Sequence, residues 1–312
     1  MADLQELLQK TSRTFALSIP LLPEPTRDEV TIAYLLFRIA DTFEDSVLWP
    51  RSERVRALRD LRALLEEIDP PGARETAKRW VSRTPIRHDG YLELLRETPF
   101  VLRCFADLGT EAQAVIRTHI ARTIDGMAEF VARTDEDGML RLHSLRDLRG
   151  YCYTVAGIVG EMCTELFLIG RDELEPVATY LRERATTFGE GLQLVNILKD
   201  SRSDAREGRL YLPPEVERDE IFDLARRDLM AATQYTLALQ RAGASRGLVA
   251  FNALPVEMAW ATLRKVERKG PGAKITRPEV WAIVARVESA LATGQPAARV
   301  PEAQRASLRT FS

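Results

Sequence analysis

Asp41, Glu44 and Asp45 in the segment DTFED stand at i, i+3 and i+4, which puts three carboxylates on one face if the segment is helical. There they repel one another. With Pro50 ahead, they also fall near a helix C-terminus, where the macrodipole disfavours negative charge. The cluster contains no cation of its own to offset these costs, so an external one is expected, and hard oxygen donors suit Mg²⁺. Asp200 and Asp204 in NILKDSRSDAREGRLYLP repeat the arrangement at i and i+4, again close to a helix stop, here at Gly208.

Both stripes have a similar history along the chain. Read backwards, the first passes through Arg38, Phe37 and Tyr34, and the second through Ile197, Asn196 and Gln193. Each is largely apolar or uncharged for two turns and becomes acidic in its last. Two such helices facing one another make an apolar chamber with a metal-binding mouth. Taken singly, each cluster also reads as a solvated face, with Lys199, Arg202 and Arg206 free to pair with Asp200 and Asp204. The repetition favours a site.

The elements that must hold these residues read as helices from end to end. Alternating strand patterns and Asn-Gly hairpins are missing, which predicts an all-α fold. Thr26 with Glu29, Thr110 with Gln113 and Thr276 with Glu279 match the capping box and mark three helix starts. Pro70-Pro71-Gly72, Asp135 to Gly138, Pro213-Pro214 and Gly270-Pro271-Gly272 read as breaks, none long enough for a domain linker. Without a repeat or a low-complexity tract, one domain over residues 1–312 is expected. Helical patterns at 145–200 and 217–265 belong at the centre of the bundle, with the N-terminal helix and the tail after about 295 at its periphery.

Composition excludes several functions. The 312 residues include 45% hydrophobic side chains, too many for a disordered chain. A net charge of −2 provides no global field for gripping nucleic acid, so no nucleic-acid partner is expected. Cys104, Cys152 and Cys163 show no disulfide or zinc spacing, and His88, His119 and His143 show no ligand spacing. MADLQELLQK lacks the basic and apolar regions of a signal peptide, and no segment reaches the roughly 20 apolar residues of a membrane span. A cytoplasmic location is expected, with any membrane contact peripheral.

At the acid clusters the chain resembles the squalene/phytoene synthase family of head-to-head prenyl-diphosphate synthases. The resemblance rests on TSRTFALSI, FRIADTFED, YCYTVAGIVG and QLVNILKDSRSDAREGRLYLP, which stand in the family's order and spacing across about two hundred residues. It implies an isoprenoid synthase helical bundle with a central cavity, prenyl diphosphate substrates, and Mg²⁺ held between two aspartate-rich helices. Asp41, Glu44 and Asp45 then correspond to the first metal motif and Asp200 and Asp204 to the second. Where most relatives read DxxED in the second motif, Ser203 stands in place of the glutamate. Ser12, Arg13, Phe15, Tyr34, Phe37, Arg38, Gln193, Asn196, Lys199 and Arg209 match substrate-binding positions. Tyr151 resembles a tyrosine near the reacting carbons.

FNALPVEMAWATL followed by GPGAKITR is similar to the segment by which squalene-forming members use a reductant, with Phe251 and Lys274 at the matching places. This implies two farnesyl diphosphates as substrates and NADPH as hydride donor. The chain has no GxGxxG, so NADPH would occupy a groove of the helical domain. RxGRLYLP reads more like the family's reductant-independent members, which form phytoene, dehydrosqualene or presqualene diphosphate. A scaffold that had lost catalysis would have lost the acids, and five of the six expected are present.

Overall fold

A computed structural model describes residues 3–12, 14–136 and 138–300. The helices in chain order are α1 (Leu4–Thr11), α2 (Phe15–Ser18), α3 (Thr26–Glu44), α4 (Arg51–Glu66), α5 (Pro70–Ser82), α6 (Asp89–Arg96) and α7 (Thr98–Ala106). They continue as α8 (Thr110–Ala132), α9 (Leu145–Cys152), α10 (Ile158–Leu168), α11 (Ala178–Arg206), α12 (Arg218–Arg241), α13 (Arg246–Lys269) and α14 (Arg277–Ala292). A π-helical turn, Tyr153–Gly157, joins α9 to α10. The only strands among the described residues are β1 (Leu140–Arg141) and β2 (Arg209–Leu210), a two-residue parallel pair. The sequence offered no sign of this ladder, since two residues are too few to show alternation.

The two acid-bearing helices are held differently. Helix α3 is buried along most of its length and packs on α1, α4, α7 and α8. Its C-terminal end is fixed by aromatic packing. Phe43 stacks on Trp49 at 5.9 Å and meets Trp80 at 4.7 Å, while Trp49 Nε1 donates to Arg83 O. Each ring pair adds about 0.5–1.5 kcal/mol beyond its buried area.

Helix α11 runs through the middle, against α10, α12 and α13. It approaches the π-helical turn and α10 so closely that only glycine fits. A Cβ on Gly189 would lie 2.0 Å from Ala156 O, and one on Gly160 would lie 2.1 Å from Ala185 O. Arg149 on α9 pairs with the buried Glu190 on α11 and, at 3.3 Å, with Asp228 on α12. Burial pushes these carboxyls up to about 7 and about 6 against the pull of Arg149. The ion group ties the Tyr151 helix to the Asp200 helix.

Two expectations need correction. Of the three capping boxes only Thr276–Glu279 forms. Pro25 already has helical backbone and Arg27 N–H donates to Pro23 O, so Thr26 lies inside the first turn and its hydroxyl accepts from Arg171. Thr110 likewise follows the N-cap Gly109, and Gln113 donates to Ala106 O and Leu108 O. The tail beyond residue 295 is not wholly peripheral either. Ala297 and Ala298 are buried because Gln240 accepts from Ala297 N–H and Glu257 accepts from Arg299 N–H.

Candidate functional site

The two acid clusters face a common space. Asp41, Glu44 and Asp45 from α3 and its C-cap, and Asp200 and Asp204 from α11, line one polar vestibule of about 350 Å³. Arg38, Gln193, Asn196, Lys199, Arg209 and Tyr151 share its wall. Helix periodicity accounts for the grouping, because i, i+3 and i+4 positions fall on one face. Through Arg38, Asp41, Val155, Gln193 and Asn196 the vestibule meets an apolar chamber of about 240 Å³, which Phe15, Tyr34, Phe37 and Phe251 help to line.

The carboxylates do have cation partners, contrary to the expectation for the first cluster. Arg38 pairs with Asp41 at 3.3 Å, Arg209 with Asp45 at 3.3 Å and Lys199 with Asp200 at 3.1 Å. Arg38 lies one turn back on the same helix. Arg209 is 164 positions from Asp45 in sequence and is delivered by β2, so local spacing cannot reveal it. Arg54 of α4 donates to the carbonyls of Phe43 and Glu44 and so ties off the end of α3.

Burial still dominates the electrostatics. It pushes Asp41 up to about 6 against Arg38, with Asp45 adding repulsion. It pushes Asp204 up to about 6 against Arg209. Glu44 is raised further, by burial first and then by Asp45, with Arg54 opposing. Among the described residues no group of three or more His, Cys, Asp or Glu forms a ready-made metal cage. The donor set nonetheless fits Mg²⁺. It consists of hard carboxylate oxygens from two facing helices, and their desolvation is incompletely compensated by protein cations. Asp41, Asp45, Asp200 and Asp204 would hold such ions, together with oxygens of a bound anion.

Glu44 is placed somewhat apart. It is 3% exposed, and its Oε1 accepts from Tyr151 Oη at 3.4 Å. Tyr151 Oη also shares a 2.7 Å hydrogen bond with Tyr211 Oη, and the two rings stack at 4.5 Å. Burial raises both phenols well above the ordinary tyrosine value, with Glu44 adding to it. Both are neutral hydroxyls at ordinary pH. Tyr211 falls in the RLYLP segment, but local spacing does not mark it, because its role depends on a contact across 60 residues. Tyr91, likewise unmarked by local spacing, has its ring 5.6 Å from the Arg38 guanidinium, which also lies 5.5 Å from the ring of Tyr34.

The remaining expected residues divide. Phe15 packs on Tyr34 at 5.7 Å, and Tyr34 Oη donates to Thr11 O, which fixes that wall. Ser12 is engaged locally, its hydroxyl accepting from Phe15 N–H. Arg13 lies outside the described residues. Phe251 meets Phe167 edge-on at 5.7 Å in the chamber. Lys274 instead lines a neighbouring groove of about 780 Å³ with Lys199, Met258 and Trp281. Phe251 and Lys274 therefore serve different cavities, although the groove adjoins the chamber at Phe15, Leu192, Asn196 and Pro255.

Ser203 is exposed, and its hydroxyl donates to Asp200 O at 2.7 Å. It stands between Asp200 and Asp204 in the last turns of α11, so a longer acid there has a route to the vestibule mouth. Ser203→Glu is expected to lower the Mg²⁺ concentration giving half-maximal activity. A magnesium titration checks this, and an unchanged midpoint would place position 203 away from the ions.

A family profile described as "Squalene/phytoene synthase" matches residues 8–281. The squalene synthase of Bos taurus is 33% identical over 208 residues, 67% of this chain and 45% of that protein. The chain spans under half the length of the curated squalene synthases it matches. Among solved structures, a complex of TcSQS with the ligand E5700 superposes with a TM-score of 0.72 at 25% identity, covering 91% of this chain and 84% of that one. A liganded dehydrosqualene synthase superposes with a TM-score of 0.60 at 19% identity, covering 93% and 95%.

Proposed function

The chain belongs to the squalene/phytoene synthase family, and from that premise we propose that it joins two farnesyl diphosphates head to head, through presqualene diphosphate, to squalene. One observation carries the reading. Two acid-bearing helix ends line a single vestibule that opens directly into an apolar chamber. Diphosphates belong in the first space and isoprenoid chains in the second.

Mg²⁺ bound by Asp41, Asp45, Asp200 and Asp204 would neutralise diphosphate and make it a better leaving group. The chain's own residues do the rest. Arg38, Lys199 and Arg209 lie beside those carboxylates and are placed to exchange a carboxylate partner for a phosphate oxygen. Phe15, Phe37 and Val155 keep water from an allylic cation formed at the chamber mouth. Tyr151 lines the adjoining vestibule with a neutral hydroxyl, its position fixed by Glu44 and the stacked Tyr211. Glu44 thus supports the site from behind, besides any contact it makes with metal.

NADPH would supply hydride in the last step. Lys274 is exposed on the groove that adjoins the chamber, and with Lys199 it suits the cofactor's anionic groups. Leaving out NADPH is expected to stop the reaction at presqualene diphosphate or divert it to dehydrosqualene and hydroxylated products. Lys274→Ala should raise the NADPH requirement and spare the first half-reaction. Product analysis by mass spectrometry checks both. A second reading, a reductant-independent phytoene, dehydrosqualene or presqualene diphosphate synthase, is favoured by RxGRLYLP and by the separation of Phe251 from Lys274. Efficient conversion of geranylgeranyl diphosphate to phytoene without reductant would put it first.

A further inference from the structure

Arg38 stands where the vestibule meets the chamber, and among the described residues it is the cation that lines both. Its side chain is 25% exposed. Nη1 reaches Asp41 Oδ2 at 3.3 Å, while Nε and Nη2 donate to Tyr34 Oη at 3.3 Å. Those contacts leave an N–H on each terminal nitrogen for a bound anion. Burial works against the charge, yet Asp41, Tyr34 and Tyr91 together raise the pKa of Arg38 above the ordinary arginine value. Asp41 is also one of the carboxylates placed to hold Mg²⁺, and a carboxylate shared with a metal grips its arginine less firmly. What then fixes Arg38 is aromatic. Its guanidinium carbon lies 5.5 Å from the ring centre of Tyr34 and 5.6 Å from that of Tyr91, both inside the roughly 6 Å over which a ring face attracts a cation. A ring face also presents no anion that a phosphate oxygen would have to displace.

Tyr91 lies in RHDGYLELLR, outside every segment that carries the family resemblance, and it lines neither the vestibule nor the chamber. Its place is nonetheless fixed. Helix α6 packs on α1 and α3. Gly90, the preceding residue, lets α1 approach so closely that a Cβ there would lie 2.7 Å from Lys10 O, and Lys10 pairs with Glu93 at 2.8 Å. The Tyr91 ring packs on that of His88 at 4.4 Å. The same helix α1 ends at Thr11, whose carbonyl accepts from Tyr34 Oη at 2.9 Å. One short helix thereby holds both rings that meet Arg38.

We infer that Tyr91 is a positioning residue for Arg38: together with Tyr34 it keeps the guanidinium at the junction of vestibule and chamber when Asp41 turns to a bound metal and the free N–H groups turn to a diphosphate. Tyr91 touches neither the substrate nor the reacting atoms and acts through the arginine. The inference rests on the proposed function for its ligand, a diphosphate, and does not depend on which prenyl chain is coupled or which product leaves.

The test measures binding without turnover. The full chain is titrated calorimetrically with inorganic diphosphate in saturating Mg²⁺, alongside steady-state kinetics with farnesyl diphosphate. Tyr91 is only part-buried, so Tyr91→Leu should fold while losing the ring. That variant is expected to bind diphosphate roughly tenfold more weakly and to show a KM raised by a similar factor, with kcat changed less. Tyr91→Phe keeps the ring face and should restore both to near the parental values. In an Arg38→Gln background, Tyr91→Leu should have little further effect on diphosphate affinity, because the cation it positions is gone. Parental affinity in Tyr91→Leu, a defect that Tyr91→Phe does not restore, or equal losses in the two backgrounds would overturn the inference and leave the proposed function standing. A parent chain that binds no diphosphate in Mg²⁺ would overturn both.

Discussion

Asp41→Asn and Asp200→Asn are each expected to lower turnover by roughly 10³-fold, the scale lost when a charge-stabilising group is removed from an active site. Each replacement keeps the shape of the side chain, removes the charge and turns one acceptor oxygen into an NH2 donor. Asp41 lies on the vestibule wall with Arg38 as its ion-pair partner, and Asp200 with Lys199. Loss of the negative charge leaves those cations closer to a free phosphate, so substrate affinity should fall less than turnover does. The folded state should survive. Asp41 is partly buried, and burial pushes it up to about 6 against Arg38, so the fold already opposes its ionisation and should tolerate the neutral asparagine. Steady-state kinetics with a parallel thermal melt measure both halves. Activity that persists in EDTA, or variants that turn over like the parent, would remove the metal from the account.

The second large effect is on the fold. Gly189→Ala puts a methyl 2.0 Å from Ala156 O and 2.6 Å from Ala156 C, both backbone atoms that no side-chain rotation can move. Overpacking typically costs about 1–3 kcal/mol, and a backbone-to-backbone clash belongs at or above the top of that range. In a chain of 312 residues a loss of about 3 kcal/mol lowers the melting temperature by roughly 5 °C. The displaced segment is the π-helical turn that carries Val155 and Ala156 into the chamber wall, so activity should fall along with stability. Gly150→Ala is the control. It lies within α9 with no atom within 4 Å of an added Cβ, and a helical Gly-to-Ala change there should be neutral or stabilising by about 0.5–1 kcal/mol. Melting curves by circular dichroism at 222 nm measure both variants. Equal melting temperatures for Gly189→Ala and the parent would mean that α11 and the turn are not locked together.

What was legible in the sequence follows the range of the forces involved. The acid clusters could be read because helical periodicity is local, so Asp41 and Asp45, or Asp200 and Asp204, must share a face wherever their helices go. The all-α class was legible for the same reason, as was the helix stop at Gly208, whose φ of +81° suits glycine. The partners of those acids were not. Arg209 reaches Asp45 by way of the short β1–β2 ladder, and Tyr211 reaches Tyr151 by stacking across the chain fold. Capping motifs misled at Thr26 and Thr110 because the preceding Pro25 or Gly109 takes the N-cap position, and the Thr26 hydroxyl accepts from Arg171 instead. Ser12 matches a substrate-contacting position in the resemblance, and its hydroxyl also accepts from Phe15 N–H, a contact the motif does not show. A resemblance transfers position along the chain, and side-chain hydrogen bonds depend on what is near.

The vestibule and chamber together make one claim above the others, that diphosphate chemistry and a two-chain hydrocarbon coupling occur in the same cavity. The direct measurement incubates the purified chain with Mg²⁺, NADPH and farnesyl diphosphate as the only prenyl donor, and analyses extracted lipid by gas chromatography and mass spectrometry. The account predicts squalene as the product, formed in a magnesium-dependent manner and lost in Asp200→Asn. Farnesyl diphosphate recovered intact, or hydrolysed to farnesol without any coupled product, would contradict it.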